Sequence, residues 1–335
     1  MKLIIQIPCF NEADQLPRTI ADLPRDVDGF DTVEWLVVDD GSTDATIEVA
    51  RRSGVDHVVR LTNHKGLASA FQAGVDASLK LGADVIVNTD ADNQYRGEDI
   101  PRLVLPILEG RADMVVGDRR TATIEHFSPL KRRLQAFGGI VVRRASDTVV
   151  PDVSSGFRAY NRDAALQVQV VSKFTYTLET IIQAGKMLIA VAHVPVQTNP
   201  PTRPSRLFPS MATYVRRNAL AIFRIYTMYE PLKVFLALGG IVAAIGLAIW
   251  IRFLFYFIHG TGRGHVQSVV AGGVLIVVAA QLAGMAILGD VLASMRLLLQ
   301  RTLERVRRLE LELGVAPSHY QAAAGPEEPR AAAEN

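Results

Sequence analysis

Cysteine is all but missing from these 335 residues: Cys9 stands alone. That excludes an internal disulfide and any zinc centre built from several thiolates, and it fits a reducing compartment for the soluble part. A charge imbalance is missing too. With 36 Lys and Arg against 34 Asp and Glu the net charge is +2, too even for a nucleic-acid binder that draws its affinity from phosphate neutralisation. No Ser-His-Asp or Cys-His arrangement is evident, and His64, His126 and His193 are scattered, reading as surface or packing residues. The first apolar run is broken by Gln6 and Pro8 and lacks a small-residue cleavage site, so no signal peptide is expected there. Charge itself almost vanishes from 232 to 295, where 64 positions hold only Lys233, Arg252, Arg263 and Asp290. The overall 49% hydrophobic and 21% charged content therefore averages a soluble part and a membrane part. The length is enough for two ordinary domains with a sizeable core.

Short β-rich runs at 3–7, 35–38, 58–61, 85–88 and 114–116 alternate with helical stretches at 45–52 and 66–81, the first preceded by Ser42-Thr43-Asp44 as a capping signal. This alternation predicts an α/β domain of βαβ units on a mostly parallel sheet. Ligands of such sheets bind beyond the carboxyl ends of the strands, so Asn11-Glu12, Asp39-Asp40 and Asp90-Ala91-Asp92 are expected to converge on one rim. A basic helical stretch at 130–144, a loop at 151–158 and a helix around 175–185 follow. The Pro-rich segment 199–209 then breaks regular structure. Apolar residues recur at helical spacing from 211 to 226 opposite Arg216, Arg217 and Arg224, which suits a helix in the membrane interface or one packed on the domain.

Residues 234–251 are 18 uncharged positions, about 27 Å as a helix, and 266–288 make a second run of 23. The short loop 259–265 makes them an antiparallel hairpin, with spans placed at 232–258 and 266–292. Arginines cluster before the first span and after the second, at 296, 301, 305, 307 and 308, and outweigh Arg263. By the positive-inside rule the N-terminal domain and both termini lie on the cytoplasmic side of a bacterial-type inner membrane. Residues 293–314 read as a basic helix, on anionic lipid or in a coiled coil between subunits of a homo-oligomer. The tail from 315 is expected to be disordered.

Asp90 and Asp92 end a strand within Asn88-Thr89-Asp90-Ala91-Asp92-Asn93-Gln94. Alternate residues of an extended segment face the same way, so two such carboxylates can hold one hard cation, Mg²⁺ or Mn²⁺, whose shell is completed by phosphates and water. A diphosphate substrate follows. Asp39-Asp40-Gly41-Ser42, after another strand, could accept hydrogen bonds from a base or ribose as well as cap a helix. Cys9 reads as a small buried side chain, since no activating partner is evident.

Taken in order, Pro8–Glu12, Asp39–Asp44, Lys65-Gly66-Leu67, Asp90–Gln94 and Ser155-Gly156-Phe157 resemble the motifs of family 2 glycosyltransferases. Over about residues 2–230 the chain is most similar to the dolichol-phosphate mannose synthase branch, polyprenyl-phosphate glycosyltransferases with a GT-A domain and a small membrane region. The resemblance implies a nucleotide-sugar donor, GDP-mannose or a UDP-sugar, with Pro8, Phe10, Glu12, Val38 and Asp39 around base and ribose. Asp92 and Gln94 would hold the metal, with Asp90 and Ala91 close to diphosphate and sugar. Arg119, in Gly117-Asp118-Arg119, would face phosphate. Arg203 and Arg206 would meet the diphosphate or lipid phosphate, although Arg203-Pro204-Ser205-Arg206 departs from the branch's Arg…Gly-x-Ser-Lys string. Glu179 stands roughly where hydroxyl-directed members of the wider family keep a base, without the adjacent Asp.

A lipid monophosphate has a second pKa near ~6 and is largely dianionic at neutral pH, so it attacks without a general base. In-line attack inverts the anomeric carbon. A processive polysaccharide synthase acting on a hydroxyl is the competing enzyme class, but it typically carries a Gln-x-x-Arg-Trp motif and more spans. A silent nucleotide-sugar-binding scaffold is the non-enzyme alternative, against which Asp90, Asp92 and Gln94 argue.

Overall fold

A computed structural model describes residues 1–120, 143, 146, 148–171, 176–200, 220, 223–224, 226–260 and 266–322. The chain divides into two compact units, Met1–Ile222 with Leu303–Asn335, and Phe223–Thr302. The expected helices at 130–144 and 211–226, and both Arg203 and Arg206, lie largely or wholly outside the described residues.

The first unit is built on a sheet of β1 (Lys2–Cys9), β2 (Thr32–Asp39), β3 (His57–Arg60), β4 (Val85–Asn88), β5 (Met114–Asp118), β6 (Arg158–Asn161), β7 (Val191–Pro195) and β8 (Tyr320–Ala322). The order across it is β7-β5-β6-β4-β1-β2-β3-β8. Parallel pairing links β4, β1, β2 and β3, as well as β5 and β7, whereas β6 and β8 run antiparallel to their neighbours. Central strands covered on both faces read as near-continuous apolar runs, and β1 is buried from Leu3 to Cys9. Pro8 is tolerated within β1 because pairing with β4 stops at Gln6 opposite Asn88, so its missing N–H falls where one side of the strand has no partner.

Helices α1 (Leu16–Ala21), α2 (Thr46–Arg52), α3 (Leu67–Lys80), α4 (Ile100–Leu108), α5 (Arg162–Gln167) and α6 (Thr177–Lys186) belong to this unit. One core joins β1, α1, β2 and α4 through Leu3, Ile5, Ile7, Leu16, Val37, Leu103 and Val104. The approach of α3 to β1 requires Gly74, where a Cβ would stand 2.4 Å from Gln6 Oε1.

Two expectations are corrected. The loop at 151–158 ends in β6, whose fully buried Arg158 hides its strand character. The tail does not lack structure from 315: Tyr320–Ala322 pair with His57–Val59, Tyr320 Oη lies 3.0 Å from His57 Nδ1, and Arg51 Nη2 donates to Gln321 Oε1 at 2.8 Å.

In the second unit, α7 (Pro231–Ile258) and the start of α8 (Val266–Glu312) are apolar enough to cross a membrane, with mean hydropathies of 2.5 and 2.2 over their most apolar windows. They pack antiparallel through small residues, Gly246 against the Gly272 carbonyl and Gly239 against the Ala279 carbonyl, and the Trp250 indole donates to Val269 O at 3.1 Å. The basic stretch expected to begin a separate helix at 293 continues α8. Its last turns, within the first unit, contact protein: Arg307, 8% exposed, donates to Leu166 O and Val168 O, capping the C-terminus of α5, and Glu310 pairs with Lys80 at 3.0 Å.

Candidate active site

The parallel register sets Cys9 beside Asp39 and Gln6 beside Asn88, so the chain leaves β1, β2 and β4 on one rim. The three polar clusters named from the sequence therefore meet, but their side chains have different fates. Asp39 is 0% exposed, and both its oxygens accept the Ser42 N–H at 3.1 and 3.3 Å. Asp40, 2% exposed, accepts from Lys65 N and Gly66 N at 2.8 Å each, and His64 Nδ1 stands 2.8 Å from its Oδ2. Both acids thus hold loops. Asp40 fixes the turn before α3, where Gly66 has φ +94°. Val38 is also fully buried and packs toward Gly74. Pro8 is buried, Glu12 half-buried, and Phe10 exposed with its ring stacked on His64 at 3.9 Å. His64 is thus an exposed side chain that packs on the rim, in keeping with its reading as a surface or packing residue. Asp44 accepts from Ala13 N and Thr46 N, tying the loop after β1 to the start of α2.

Asp90 and Asp92 keep exposed surface beyond β4. The Asp90 carboxylate faces Gly156, where a Cβ would lie 3.0 and 3.1 Å from its two oxygens. Burial, and then the negative charge of Asp92, push Asp90 up to about 7, against the opposing pull of Arg119 and Arg158. Asp92 is oriented by the Gln94 N–H on its Oδ1 at 3.1 Å, and the Ala91 carbonyl is held by Thr19 Oγ1 at 2.8 Å. A carboxylate such as Asp90, whose ionisation is opposed by burial and by a neighbouring carboxylate, suits a hard divalent cation, whose charge offsets that cost. Among the described residues no three His, Cys, Asp or Glu converge as a metal cage.

Gly156 is fixed from both sides: its N–H donates to Tyr95 Oη at 3.0 Å and its carbonyl accepts from Asn88 Nδ2 at 2.8 Å. Asn88 in turn accepts from Gln6 Nε2 at 2.9 Å, a buried amide chain running from β1 through β4 to this loop. Arg119 is locked in a bidentate pair with Asp152, Nε at 2.6 Å and Nη2 at 3.0 Å, and Nη2 also donates to Ser154 Oγ at 2.8 Å. Burial alone would raise the Asp152 carboxyl, but the hydrogen bond and charge of Arg119 hold it below the usual carboxylate range. Arg158 is fully buried and donates to Ser155 O, Val153 O and Thr180 Oγ1.

Sequence reasoning missed Asp152, Arg158, Tyr95 and Tyr176. Only the nearness of Asp152 and Arg158 to Ser155-Gly156-Phe157 could have flagged them. Glu179 is 0% exposed and accepts the Val171 N–H at 3.2 Å, so it braces a loop.

Residues 4–168 match the family described as glycosyl transferase family 2. An undecaprenyl-phosphate mannosyltransferase from Micrococcus luteus is 30% identical over 58% of this chain and 83% of its own length. A UDP-N-acetylglucosamine–dolichyl-phosphate N-acetylglucosaminyltransferase from Methanococcus voltae is 26% identical over 57% of this chain and 83% of its own. Among solved structures, glucosyl-3-phosphoglycerate synthase from Mycobacterium tuberculosis, in complex with Mn²⁺, UDP and glucosyl-3-phosphoglycerate, matches with a TM-score of 0.51 at 22% identity. That match covers 66% of this chain and 79% of the synthase, a likeness of fold.

Proposed function

Since the chain belongs to glycosyl transferase family 2, in its polyprenyl-phosphate branch, we propose that it transfers a sugar from a nucleotide-sugar donor to a polyprenyl phosphate, with inversion, at the cytoplasmic face of a membrane. The observation that carries this reading is the Asp90–Asp92 pair at the strand rim, where Asp90 faces the Gly156 backbone and burial, then the charge of Asp92, push it up to about 7. Asp90, Asp92 and Gln94 are the residues that would hold Mg²⁺ or Mn²⁺. When bound, the cation supplies charge that neutralises the departing nucleoside diphosphate.

The chain's own groups do the rest. Asp152 and Ser154 set the plane of the Arg119 guanidinium beside the acid pair, a cation held in place before substrate arrives. Gly156 lets that loop close on Asp90, where any side chain would intrude. No residue need take a proton from the acceptor, because its phosphate is already dianionic at neutral pH. Alignment and charge neutralisation are then the whole catalytic task. The apolar α7 and α8 support a membrane location, where a prenyl tail resides. Arg203 and Arg206, outside the described residues, are proposed to meet phosphate.

The full chain in detergent, given undecaprenyl phosphate, Mg²⁺ or Mn²⁺ and a panel of UDP- and GDP-sugars, is expected to yield one glycosylated lipid by mass, with the anomeric configuration opposite to the donor's. Asp92→Ala is expected to abolish transfer and leave the thermal midpoint unchanged. Transfer by that variant at the wild-type rate would overturn the metal assignment.

A further inference from the structure

The last described residues close the β3 edge of the sheet, and they do more than cover it. Besides the β8 ladder, the Arg60 N–H donates to His319 O at 3.0 Å, which places His319 at the carboxyl end of β3. There the tail and the strand border an open depression of about 420 Å³ lined by Arg60, Thr62, His319, Tyr320 and Gln321. The volume falls within the roughly 300–1,000 Å³ of small-molecule sites. Every lining side chain carries a polar group, and the set includes a guanidinium and an amide suited to the carbonyls and ring nitrogens of a nucleobase. The depression adjoins the rim: Arg60 Nε stands 3.8 Å from Asp39 Oδ2.

Across the rim, β4 is separated from β3 by β1 and β2. Three strand spacings make about 14 Å. A nucleoside diphosphate anchored by its phosphates at Asp90 and Asp92 therefore lays its nucleoside toward Asp39 and Arg60. Asp39 is buried with its oxygens on the Ser42 N–H, so groups beside it are the ones placed to add recognition at that end. We infer that residues 319–321 of the C-terminal tail wall the nucleobase subsite of the donor, opposite Arg60 and Thr62, so that the end of the chain takes part in choosing the donor nucleotide. The inference rests on the nucleotide-sugar reading above and deepens it.

The test compares the full chain, a chain ending at Ala322, a chain ending at Pro317, and the single variants His319→Ala and Gln321→Ala, all in detergent with Mn²⁺. Calorimetric titrations with UDP, GDP and inorganic pyrophosphate separate the base end from the phosphate end. The chain ending at Ala322 is expected to bind as the full chain does. The chain ending at Pro317 is expected to lose about tenfold in affinity for the nucleotide the full chain prefers, as for the loss of one or two hydrogen bonds, with pyrophosphate binding unchanged. His319→Ala or Gln321→Ala is expected to lose several-fold at an unchanged thermal midpoint, which keeps the test valid if the shorter chain unfolds. Equal losses for nucleotide and pyrophosphate, or no loss in any variant, would overturn the inference and leave the tail as an edge cover. Should the full chain bind pyrophosphate but neither nucleotide, the donor reading itself fails, and the tail's role with it.

Discussion

Replacing Gly156 by alanine puts one methyl group into the tightest contact of the proposed site. The φ of Gly156 lies outside the left-handed region, so the backbone itself tolerates a side chain. On that ground alone Gly156→Ala would stabilise the protein by about 0.4–1 kcal/mol, through the lower entropy of the unfolded chain. The surroundings reverse the sign. The new Cβ would stand 2.7 Å from Tyr176 Oη and 3.0 and 3.1 Å from the Asp90 oxygens. Retreat is blocked, since Tyr95 holds the Gly156 N–H, Asn88 holds its carbonyl, and the Tyr176 ring is stacked on Phe71 at 4.1 Å. The Asp90 carboxylate, which is only partly buried, is the group that yields. Overpacking of this kind costs about 1–3 kcal/mol. Displacing one of two metal-facing carboxylates should weaken Mn²⁺ binding by about tenfold or more, each decade being about 1.4 kcal/mol. Thermal unfolding and Mn²⁺ calorimetry of the full chain measure the two effects separately. A variant as stable as the parent that binds Mn²⁺ equally well would refute the claim that Gly156 is there to admit Asp90.

Asp152→Ala should cost about 3–5 kcal/mol at pH 7 by leaving the Arg119 guanidinium unpaired in a largely enclosed site. Because the folded Asp152 carboxyl is held below its ordinary value, its contribution is fully present above about pH 4 and is lost as pH falls through the folded value, so the gap in thermal midpoint should narrow on acidification. Asp40→Ala, which strands the N–H groups of Lys65 and Gly66, should lower the urea midpoint by an amount equivalent to about 1–3 kcal/mol. Glu179→Gln should transfer sugar at the parental rate; a drop of about a hundredfold, the scale of a lost general base, would restore Glu179 as a catalytic residue. Chelation by EDTA should stop transfer, with Mn²⁺ or Mg²⁺ restoring it and Ca²⁺, which prefers a larger and looser shell, restoring little.

How much was legible in the chain depended on how far away each residue's partner lies. Strands β1 to β5 announce themselves through apolar runs, and β4 matches its expected bounds of 85–88 because four consecutive buried positions need only local pattern to be seen. Strand β6 could not be seen that way. Its first residue is a fully buried arginine whose charge is absorbed by two carbonyls and a threonine hydroxyl, and one of these belongs to a helix 22 residues further on. Strand β8 is three residues in a tail of small and polar side chains, and it exists because β3, some 260 residues earlier, offers an open edge.

The acids on the rim divide by the same logic. Asp39, Asp40, Asp90 and Asp92 are alike as residues at strand ends, and local reading offers all four to the ligand while leaving Asp39 and Asp40 a capping role as well. In the folded chain Asp39 meets an N–H three residues away and Asp40 meets two about 25 residues away, so both are consumed in holding loops. Asp90 instead faces a glycine that offers its carboxylate no hydrogen bond, with Asp92 close enough to oppose its ionisation. A buried carboxylate satisfied by backbone N–H groups has little to gain from a cation, whereas Asp90, pushed up by burial and by the neighbouring charge of Asp92, gains more. Of the four acids, it is therefore Asp90 and Asp92 that we propose a divalent ion would join, while Asp39 and Asp40 hold the loops at Ser42 and at Lys65-Gly66.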